Sequence, residues 1–208
     1  MTMDNELRAV YWDLGGVLLR TEDVSYRERW GKRFGMGPWE LERLVFRTNA
    51  SKLASLGKAS VDDIWKEVQQ QLDIPDDQLA ELQADFFAGD QLDQTLVSFI
   101  RSLKQNRITI GLISNAWPDT RDWLENHVKI ADLFDHMVIS SEIGMAKPDP
   151  RIYELALNGL QIKPAQAVFV DDFIENIEGA EALGMVGLHF QDPQMVMRIL
   201  RKKFSLPA

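Results

Sequence analysis

Short, continuously apolar segments recur along the chain, separated by longer stretches in which apolar residues follow helical spacing. The segments are rich in Val, Ile, Phe and Tyr and do not alternate with polar residues, which is typical of parallel strands buried on both faces. Five such segments cover residues 9–14, 108–114, 137–140, 167–171 and 186–190. The alternation of strand and helix predicts an α/β fold with a Rossmann-like, doubly wound parallel sheet.

Helix start signals lie between these segments. Asp149 followed by Pro150 predicts a helix over about residues 151–158, because Asp can accept from first-turn amides and Pro has no amide hydrogen to lose. Ser60, with Asp63 in the following turn, predicts a second helix start. A third helix is indicated by apolar residues that share one face, namely Leu92, Leu96, Phe99, Ile100 and Leu103.

The first and second strand segments are separated by about ninety residues, far more than a single crossover in an α/β unit needs. Residues 26–89 within this gap have the pattern of several amphipathic helices, interrupted at residues 35–38, at Gly57 and at Pro75. This pattern predicts a small helical bundle inserted into the α/β fold.

The predicted domain organisation is therefore discontinuous. Residues 1–20 and 90–208 would form the α/β catalytic core, and residues 21–89 a small inserted α-helical cap. Standing over the edge of the sheet, such a cap would act as a lid and supply specificity contacts. Two of its aromatic residues, Trp39 and Trp65, are expected in the core of the bundle.

Composition limits the classes of partner. The chain has 208 residues, of which 45% are hydrophobic, enough for one sizeable core and a smaller module. Its 23 basic and 32 acidic residues give a net charge of −9, which disfavours nucleic acid or an anionic membrane surface as a partner. A small anionic substrate stays compatible with this charge, because a local site can be positive on an acidic protein.

Cysteine is absent, which excludes disulfides, thiolate zinc sites and a cysteine nucleophile. The first ten residues lack the pattern of a signal peptide, and no apolar run approaches the roughly 20 residues of a membrane span. We therefore expect a soluble, cytoplasmic protein, either a monomer or a homodimer.

Polar residues end three of the apolar segments. Asp13 follows AVYW, Ser114 follows ITIGLI, and Asp171 with Asp172 follows AVFV. In open parallel sheets, ligands bind at the carboxyl ends of the strands, so these side chains are expected to converge on one site. A single aspartate at a strand end is more often a turn or cap residue, and the combination is what indicates chemistry.

Lys147, in GMAKPDP between a strand and a helix, can place an ammonium group at the same edge. An exposed loop lysine is the commoner occurrence of such a residue. Taken together, an Asp that attacks, a Ser that donates to phosphate, a Lys and two further Asp for a metal make a complete phosphoryl-transfer site.

These motifs resemble those of the haloacid dehalogenase-like (HAD) hydrolases, in the branch with a helical cap inserted after the first motif. The first and second motifs correspond to YWDLGGVL with Asp13 and to LISN with Ser114. The third and fourth correspond to AKPDP with Lys147 and to VFVDD with Asp171 and Asp172. Four motifs in order across almost the whole chain are far more specific than any one of them.

The resemblance implies a phosphatase in which the Asp13 carboxylate attacks phosphorus and forms an aspartyl-phosphate that water then hydrolyses. It also implies Mg²⁺ as the cofactor, bound by the Asp13 side chain, the backbone carbonyl of Gly15 and the Asp171 carboxylate. Asp172 would reach the metal through water, and Asn176 would contact the metal's ligands.

Three residues are implied to contact the substrate, a small phosphorylated metabolite: Ser114, Asn115 and Lys147. Asn115 and Asn176 are equally compatible with a role in stabilising loops. Trp117, which closely follows Ser114, is a candidate for the mouth of the pocket.

Gly15 departs from the family pattern. Most phosphatases of the family have a second aspartate at this position, where it protonates the leaving oxygen and later activates water. Glycine keeps the backbone carbonyl but removes a group whose acid–base help is typically worth about 10² to 10⁴ in rate. Another group could supply the proton, and we then expect a preference for good leaving groups, such as an anomeric sugar phosphate.

Two alternatives stay open. A dehalogenase of the same family would use Asp13 without metal, but those relatives usually have a Tyr at position 15 and Ser-Ser-Asn in place of Val170, Asp171 and Asp172. A carboxylate pair beside the nucleophile would repel its charge unless a cation lies between them, which favours metal and phosphate. The second alternative, suggested by Gly15, is a protein that binds a phosphorylated ligand and turns over little.

Overall fold

The structure, a computed structural model, describes residues 6–206. Its strands are β1 (Ala9–Trp12), β2 (Leu19–Thr21), β3 (Asp90–Leu92), β4 (Thr109–Ser114), β5 (His136–Ile139), β6 (Ala167–Asp171) and β7 (Val186–His189). The first helices are α1 (Ser25–Arg33), α2 (Pro38–Arg47), α3 (Asn49–Ala54), α4 (Val61–Leu72), α5 (Asp76–Phe86) and α6 (Gln94–Gln105). The others are α7 (Thr120–Asp122), which continues as a π-helical turn, α8 (Ser140–Ile143), α9 (Pro150–Leu160), α10 (Ile174–Ala182) and α11 (Pro193–Lys203).

Five parallel strands form the central sheet, in the order β5-β4-β1-β6-β7. The chain winds outward in one direction from β1 to β4 and β5, and in the other to β6 and β7, so the strand order reverses at β1. This confirms the predicted doubly wound α/β fold. The strand segments predicted from the sequence agree with these five strands to within two residues at each end.

Helices cover both faces of the sheet. Val10 and Trp12 point to the face covered by α6 and α11, whereas Ala9 and Tyr11 point to the face covered by α9 and α10. All four residues are fully buried, which explains why β1 is continuously apolar. Among residues 6–206, no helix combines the length and apolarity needed to cross a membrane. The prediction about a signal peptide rests partly on residues 1–5, which lie outside the described range.

Two of the helix start signals operate as predicted. The Ser60 side chain accepts from the amide of Asp63 and caps α4, and the Asp149 side chain accepts from the amide of Arg151 and caps α9. The prediction for α6 was wrong at its first residue: Leu92 belongs to β3, and the Asp93 side chain caps the helix that follows.

Helices α1 to α5 lie between β2 and β3 and have an apolar core of their own, with fully buried members from α2, α4 and α5 such as Leu41, Ile64 and Leu82. At their base, β2 pairs antiparallel with β3, a two-stranded ribbon that the sequence did not predict because each strand has only three residues. The domain limits near residues 20 and 90 remain a prediction.

The two tryptophans predicted for this helical core have different positions. Trp65 is buried, at 4% exposure, and packs edge-on against Phe86. Trp39 is 51% exposed and lines a cavity, so its prediction as a core residue was wrong. It is the second residue of α2, and Leu41 and Val45 on another side of that helix already fill the core.

Candidate active site

The carboxyl ends of β1, β4 and β6 meet at one edge of the sheet. Trp12 at the end of β1 is in register with Leu112 of β4 and with Val170 of β6. The polar residues that follow, Asp13 after β1 and Asp171 at the end of β6, are therefore neighbours although they are far apart in sequence. Ser114, the last residue of β4, lines the same cavity as Asp13 and is 2% exposed.

Lys147 lies at the centre of this group and is 5% exposed. Its ammonium nitrogen is 2.8 Å from Asp13 Oδ1 and 2.6 Å from Asp171 Oδ2, and it donates to the carbonyl of Ile113 at 2.9 Å. The Asn115 amide accepts from the backbone N–H of Lys147 at 2.8 Å and donates to its carbonyl at 2.9 Å. Asn115 therefore holds the Lys147 segment in place, which favours the loop-stabilising alternative for this residue.

Two carboxylates contact this ammonium group, and a third lies beside them. Oxygens of Asp13, Asp171 and Asp172 lie within 4.8 Å of one another. Burial, together with the charge of Asp171, raises the pKa of Asp13 to about 7 against the opposing effect of Lys147, and burial and Asp171 raise the pKa of Asp172 to about 6. Negative charge in excess of the single lysine makes this a place where a cation is stabilised.

The hydrogen bonds of the two adjacent aspartates differ. Asp171 is fully buried, and its oxygens accept from Lys147, from the backbone N–H of Phe173 and from the side-chain amide of Asn176. Asp172 Oδ1 is buried and has no hydrogen-bond partner among residues 6–206. A buried carboxylate oxygen without a donor is costly, so it indicates a ligand position. Three carboxylates and no soft donor fit Mg²⁺, which prefers oxygen ligands.

The two glycines after the nucleophile motif have different surroundings. Gly16 has φ +76°, and a Cβ there would overlap the Asp172 carboxylate, so this position requires glycine. Gly15 is exposed, lies outside the left-handed region, and a Cβ there would have no atom within 4 Å. The position that lacks the expected aspartate therefore has room for a side chain.

A cavity of about 900 Å³ extends from these residues to the inserted helices. Asp13, Gly15, Ser114, Lys147 and Asp172 line its floor. Its upper wall contains aromatic side chains from both parts of the molecule, Trp39, Phe46, Phe87, Trp117 and Phe173. Trp117 is thus a lining residue as expected, and it also packs into the core of the inserted helices at 9% exposure.

A largely buried ionic network at the base of the inserted helices was not predicted from the sequence. Arg27 of α1 is 3% exposed and donates to Glu42, to both oxygens of Asp90 at 2.9 and 3.0 Å, and to the carbonyl of Phe86 at 2.9 Å. Asp90 also accepts from the Thr21 hydroxyl at 2.6 Å. These contacts join α1 and α2 to β2 and β3, and no local motif in the sequence indicated them.

Comparison with known proteins agrees with the family resemblance of the four motifs. A family model described as haloacid dehalogenase-like hydrolase matches residues 7–184. Sesquiterpene phosphatase astK of Aspergillus oryzae is 28% identical over 201 residues, which cover 96% of this chain and 98% of that protein. Bifunctional epoxide hydrolase 2 of Rattus norvegicus is 30% identical over 128 residues, 60% of this chain but only 23% of that longer protein.

Among solved structures, a HAD family enzyme from Bacteroides thetaiotaomicron, in complex with magnesium and inorganic phosphate, superimposes with a TM-score of 0.72. The match covers 91% of this chain and 98% of that one at 18% identity, so it establishes the shared fold. The family model matches most of this chain, and the four motifs lie together at one edge of the sheet. The chain therefore belongs to the haloacid dehalogenase-like hydrolases.

Proposed function

We propose that the protein is a Mg²⁺-dependent phosphoric monoester hydrolase that acts on a small phosphorylated metabolite through an aspartyl-phosphate at Asp13. The observation that carries this proposal is the group formed by the Lys147 ammonium, the buried carboxylates of Asp13 and Asp171 that contact it, and the half-buried carboxylate of Asp172 beside them. Such a group can attack a phosphoryl group and stabilise its charge. The Aspergillus oryzae relative is likewise a phosphatase by name.

The two hydrogen-bond donors to the Asp13 side chain contact the same carboxylate oxygen. Lys147 Nζ and the backbone N–H of Leu14 both donate to Oδ1, at 2.8 and 2.7 Å. The Asp13 carboxylate forms a bond to phosphorus while the bond from phosphorus to the ester oxygen breaks. Ser114 would donate to a phosphoryl oxygen, and the leaving oxygen would take up a proton from a water molecule. Water then cleaves the phosphorus–oxygen bond at Asp13 and releases phosphate.

For Mg²⁺ we propose Asp13, the Gly15 carbonyl and one of the two aspartates after β6. The resemblance to the family assigned Asp171 to this role, but both its oxygens are already hydrogen-bonded. The unpartnered Oδ1 of Asp172 makes that residue the better direct ligand, with Asp171 and Asn176 fixing Lys147 and the loop. When bound, the metal neutralises the carboxylates and polarises a phosphoryl oxygen.

This assignment predicts different results for the two aspartates. Asp172→Asn should weaken Mg²⁺ binding by at least roughly 10- to 100-fold, since losing even an outer-shell partner of a metal ligand has an effect of that size, while the fold is retained. Asp171→Asn should mainly lower the thermal stability, because it leaves the buried Lys147 with one carboxylate instead of two. Calorimetric titration with Mg²⁺ and thermal melts measure both effects. If Asp171→Asn lost as much Mg²⁺ affinity as Asp172→Asn and melted at the same temperature as the parent protein, Asp171 would be the direct Mg²⁺ ligand.

Helices α1 to α5 are proposed to act as a cap over the site. They supply α2 and Phe87 to the cavity wall, while Trp117 of the core donates its indole N–H to Ser51 Oγ of α3 at 3.1 Å. A cap in this position would exclude bulk water during transfer. A cytoplasmic location and a monomeric or homodimeric state remain predictions from the sequence.

Metal removal tests the proposed function directly. Phosphate release from a panel of phosphorylated metabolites and one aryl phosphate should require Mg²⁺ and should stop when a chelator is added. Addition of excess Mg²⁺ should restore the rate, because the carboxylates are held by the fold itself. Turnover that continues unchanged in chelator would contradict the proposal, and halide release from 2-haloacids would point to the dehalogenase chemistry instead.

A second candidate function rests on Gly15. Without the acid–base carboxylate the protein would bind a phosphorylated ligand and hydrolyse it slowly. No turnover of any ester, combined with Mg²⁺-dependent binding of phosphate, would favour that candidate.

A further inference from the structure

The aromatic wall of the cavity is unusually exposed. Trp39, Phe46, Phe87 and Phe173 are 51%, 43%, 40% and 60% exposed. Among residues 6–206 seven large hydrophobic side chains are exposed, and these four all line the one cavity above Asp13. Clustered exposed apolar surface marks a contact site, whereas single exposed residues are ordinary.

Helix α2 buries other apolar residues in the core, so its exposed aromatic rings are not part of that core. Leu41 and Val45 are fully buried and belong to the core of the inserted helices. Trp39 and Phe46, two turns apart, lie on a different face and line the cavity together with Arg43. The helix therefore has one apolar face for its own core and a second, mixed face toward the cavity, on which the two aromatic rings lie beside Glu42, Arg43 and Arg47.

The wall continues down to the phosphate end. The ring centroids of Phe46 and Trp117 are 5.1 Å apart, and those of Phe87 and Trp117 are 6.1 Å apart. Trp117 closely follows Ser114 on the loop after β4, and Phe173 follows Asp172 directly. An apolar group attached to a phosphate at Asp13 would meet aromatic rings on both sides.

Many of the polar groups in the upper cavity are already paired with one another. Glu42 and Asp90 accept from Arg27, and Thr21 donates to Asp90. Ser51 accepts from the Trp117 indole. Hydroxyl groups of a sugar would have to compete with these bonds, because each buried hydroxyl needs a partner of its own.

We infer that the substrate is a phosphate monoester of a hydrophobic alcohol, with its phosphate at Asp13 and Lys147 and its carbon chain against the aromatic wall. The inference rests on the proposed phosphatase function and replaces the sugar phosphate expected from the sequence. The two ends of the cavity are complementary to the two ends of such a molecule: the floor would hold the phosphate through Lys147 and the proposed Mg²⁺, and the wall carries aromatic rings for the carbon chain.

Straight-chain alkyl phosphates test the inference, because lengthening the chain changes the apolar area while the acidity of the alcohol stays nearly constant. From ethyl to decyl phosphate, kcat/KM should rise by up to about fourfold for each methylene that is fully buried. The gain should lie in KM, since contacts remote from phosphorus bind substrate and transition state alike. A flat series, or glucose 1-phosphate turned over better than decyl phosphate, would overturn the inference.

Two alanine variants test whether the chain-length dependence of KM arises at the aromatic wall. Trp39→Ala should raise KM for decyl phosphate by roughly tenfold and flatten the chain-length series, because an aromatic contact of this size is lost. Tyr26→Ala removes an aromatic ring of similar exposure, 36%, that does not line the cavity, and should leave the series unchanged. Equal effects of the two substitutions would contradict the proposed wall.

Binding of alkylphosphonates separates this inference from the proposed function. With Mg²⁺ present, affinity measured by calorimetry should increase with chain length whether or not the protein hydrolyses esters. Turnover of an aryl phosphate without any chain-length dependence of phosphonate affinity would reject the hydrophobic substrate alone. Chain-length-dependent binding without turnover of any ester would reject the phosphatase and retain the hydrophobic ligand.

Discussion

Replacement of Asp13 by Asn is expected to lower the rate of phosphate release by about 10⁴-fold or more, the scale seen when a nucleophile is removed from a hydrolase. The amide oxygen can still accept from Leu14 and Lys147, so the local geometry should survive. The amide cannot attack phosphorus, because it carries no negative charge at the oxygen. The loss should appear in kcat, measured as phosphate release at saturating substrate.

Two controls decide whether that loss is chemical. Asp62→Asn makes the same change at an exposed position in the first turn of α4 and should leave kcat unaltered. Asp13→Asn should also melt cooperatively, at a lower temperature similar to that of Asp171→Asn, because it too leaves Lys147 with one carboxylate, and it should still bind an alkylphosphonate when Mg²⁺ is saturating. Residual activity above about one hundredth would show that a different group attacks phosphorus.

The intermediate itself can be trapped. Reduction with borohydride during turnover would convert an aspartyl-phosphate to an alcohol, and peptide mass spectrometry should find this change at Asp13. The modification should be absent when substrate is omitted. Turnover with no modified Asp13 would favour direct attack by water on the ester.

Most residues near the floor of the cavity were predictable from the sequence, because the topology of the sheet fixes where the strands end. Asp13, Ser114 and Asp171 each follow or end a continuously apolar segment, and parallel strands bring such positions to one edge. Lys147 was predicted from its position between a strand and a helix, and the family resemblance supported it, but a loop lysine has no periodicity that places its side chain. Its burial between two carboxylates is visible only in three dimensions.

Apart from Trp117, the cavity wall was not predictable, because amphipathic periodicity identifies an apolar face but not what covers it. Trp39 and Trp65 looked alike in sequence, yet one lies in the cavity and the other in the helical core. The roles proposed for Asp171 and Asp172 differ because only the oxygens of Asp171 all accept hydrogen bonds. Two adjacent aspartates in a sequence do not reveal this difference.

Replacement of Gly15 by Asp is expected to raise kcat for alkyl phosphates by about 10² to 10⁴-fold, the usual value of positioned acid–base help. The backbone allows the change, because Gly15 lies outside the left-handed region and a Cβ there would have no atom within 4 Å. The carbonyl of residue 15 stays available to Mg²⁺. Aryl phosphates should gain far less, because a phenolate departs without needing a proton.

Gly15→Asn is the matched control, since it fills the same space without a titratable group. It should leave kcat for alkyl phosphates close to that of the parent protein. If Gly15→Asp and Gly15→Asn behave alike, the proton for the leaving oxygen already comes from another group, and glycine at this position costs the enzyme nothing. If only Gly15→Asp accelerates alkyl esters, and the parent rates fall steeply with leaving-group pKa, the missing carboxylate limits catalysis. The apolar wall, by holding the alcohol in place, would then compensate through KM for what the site lacks in kcat.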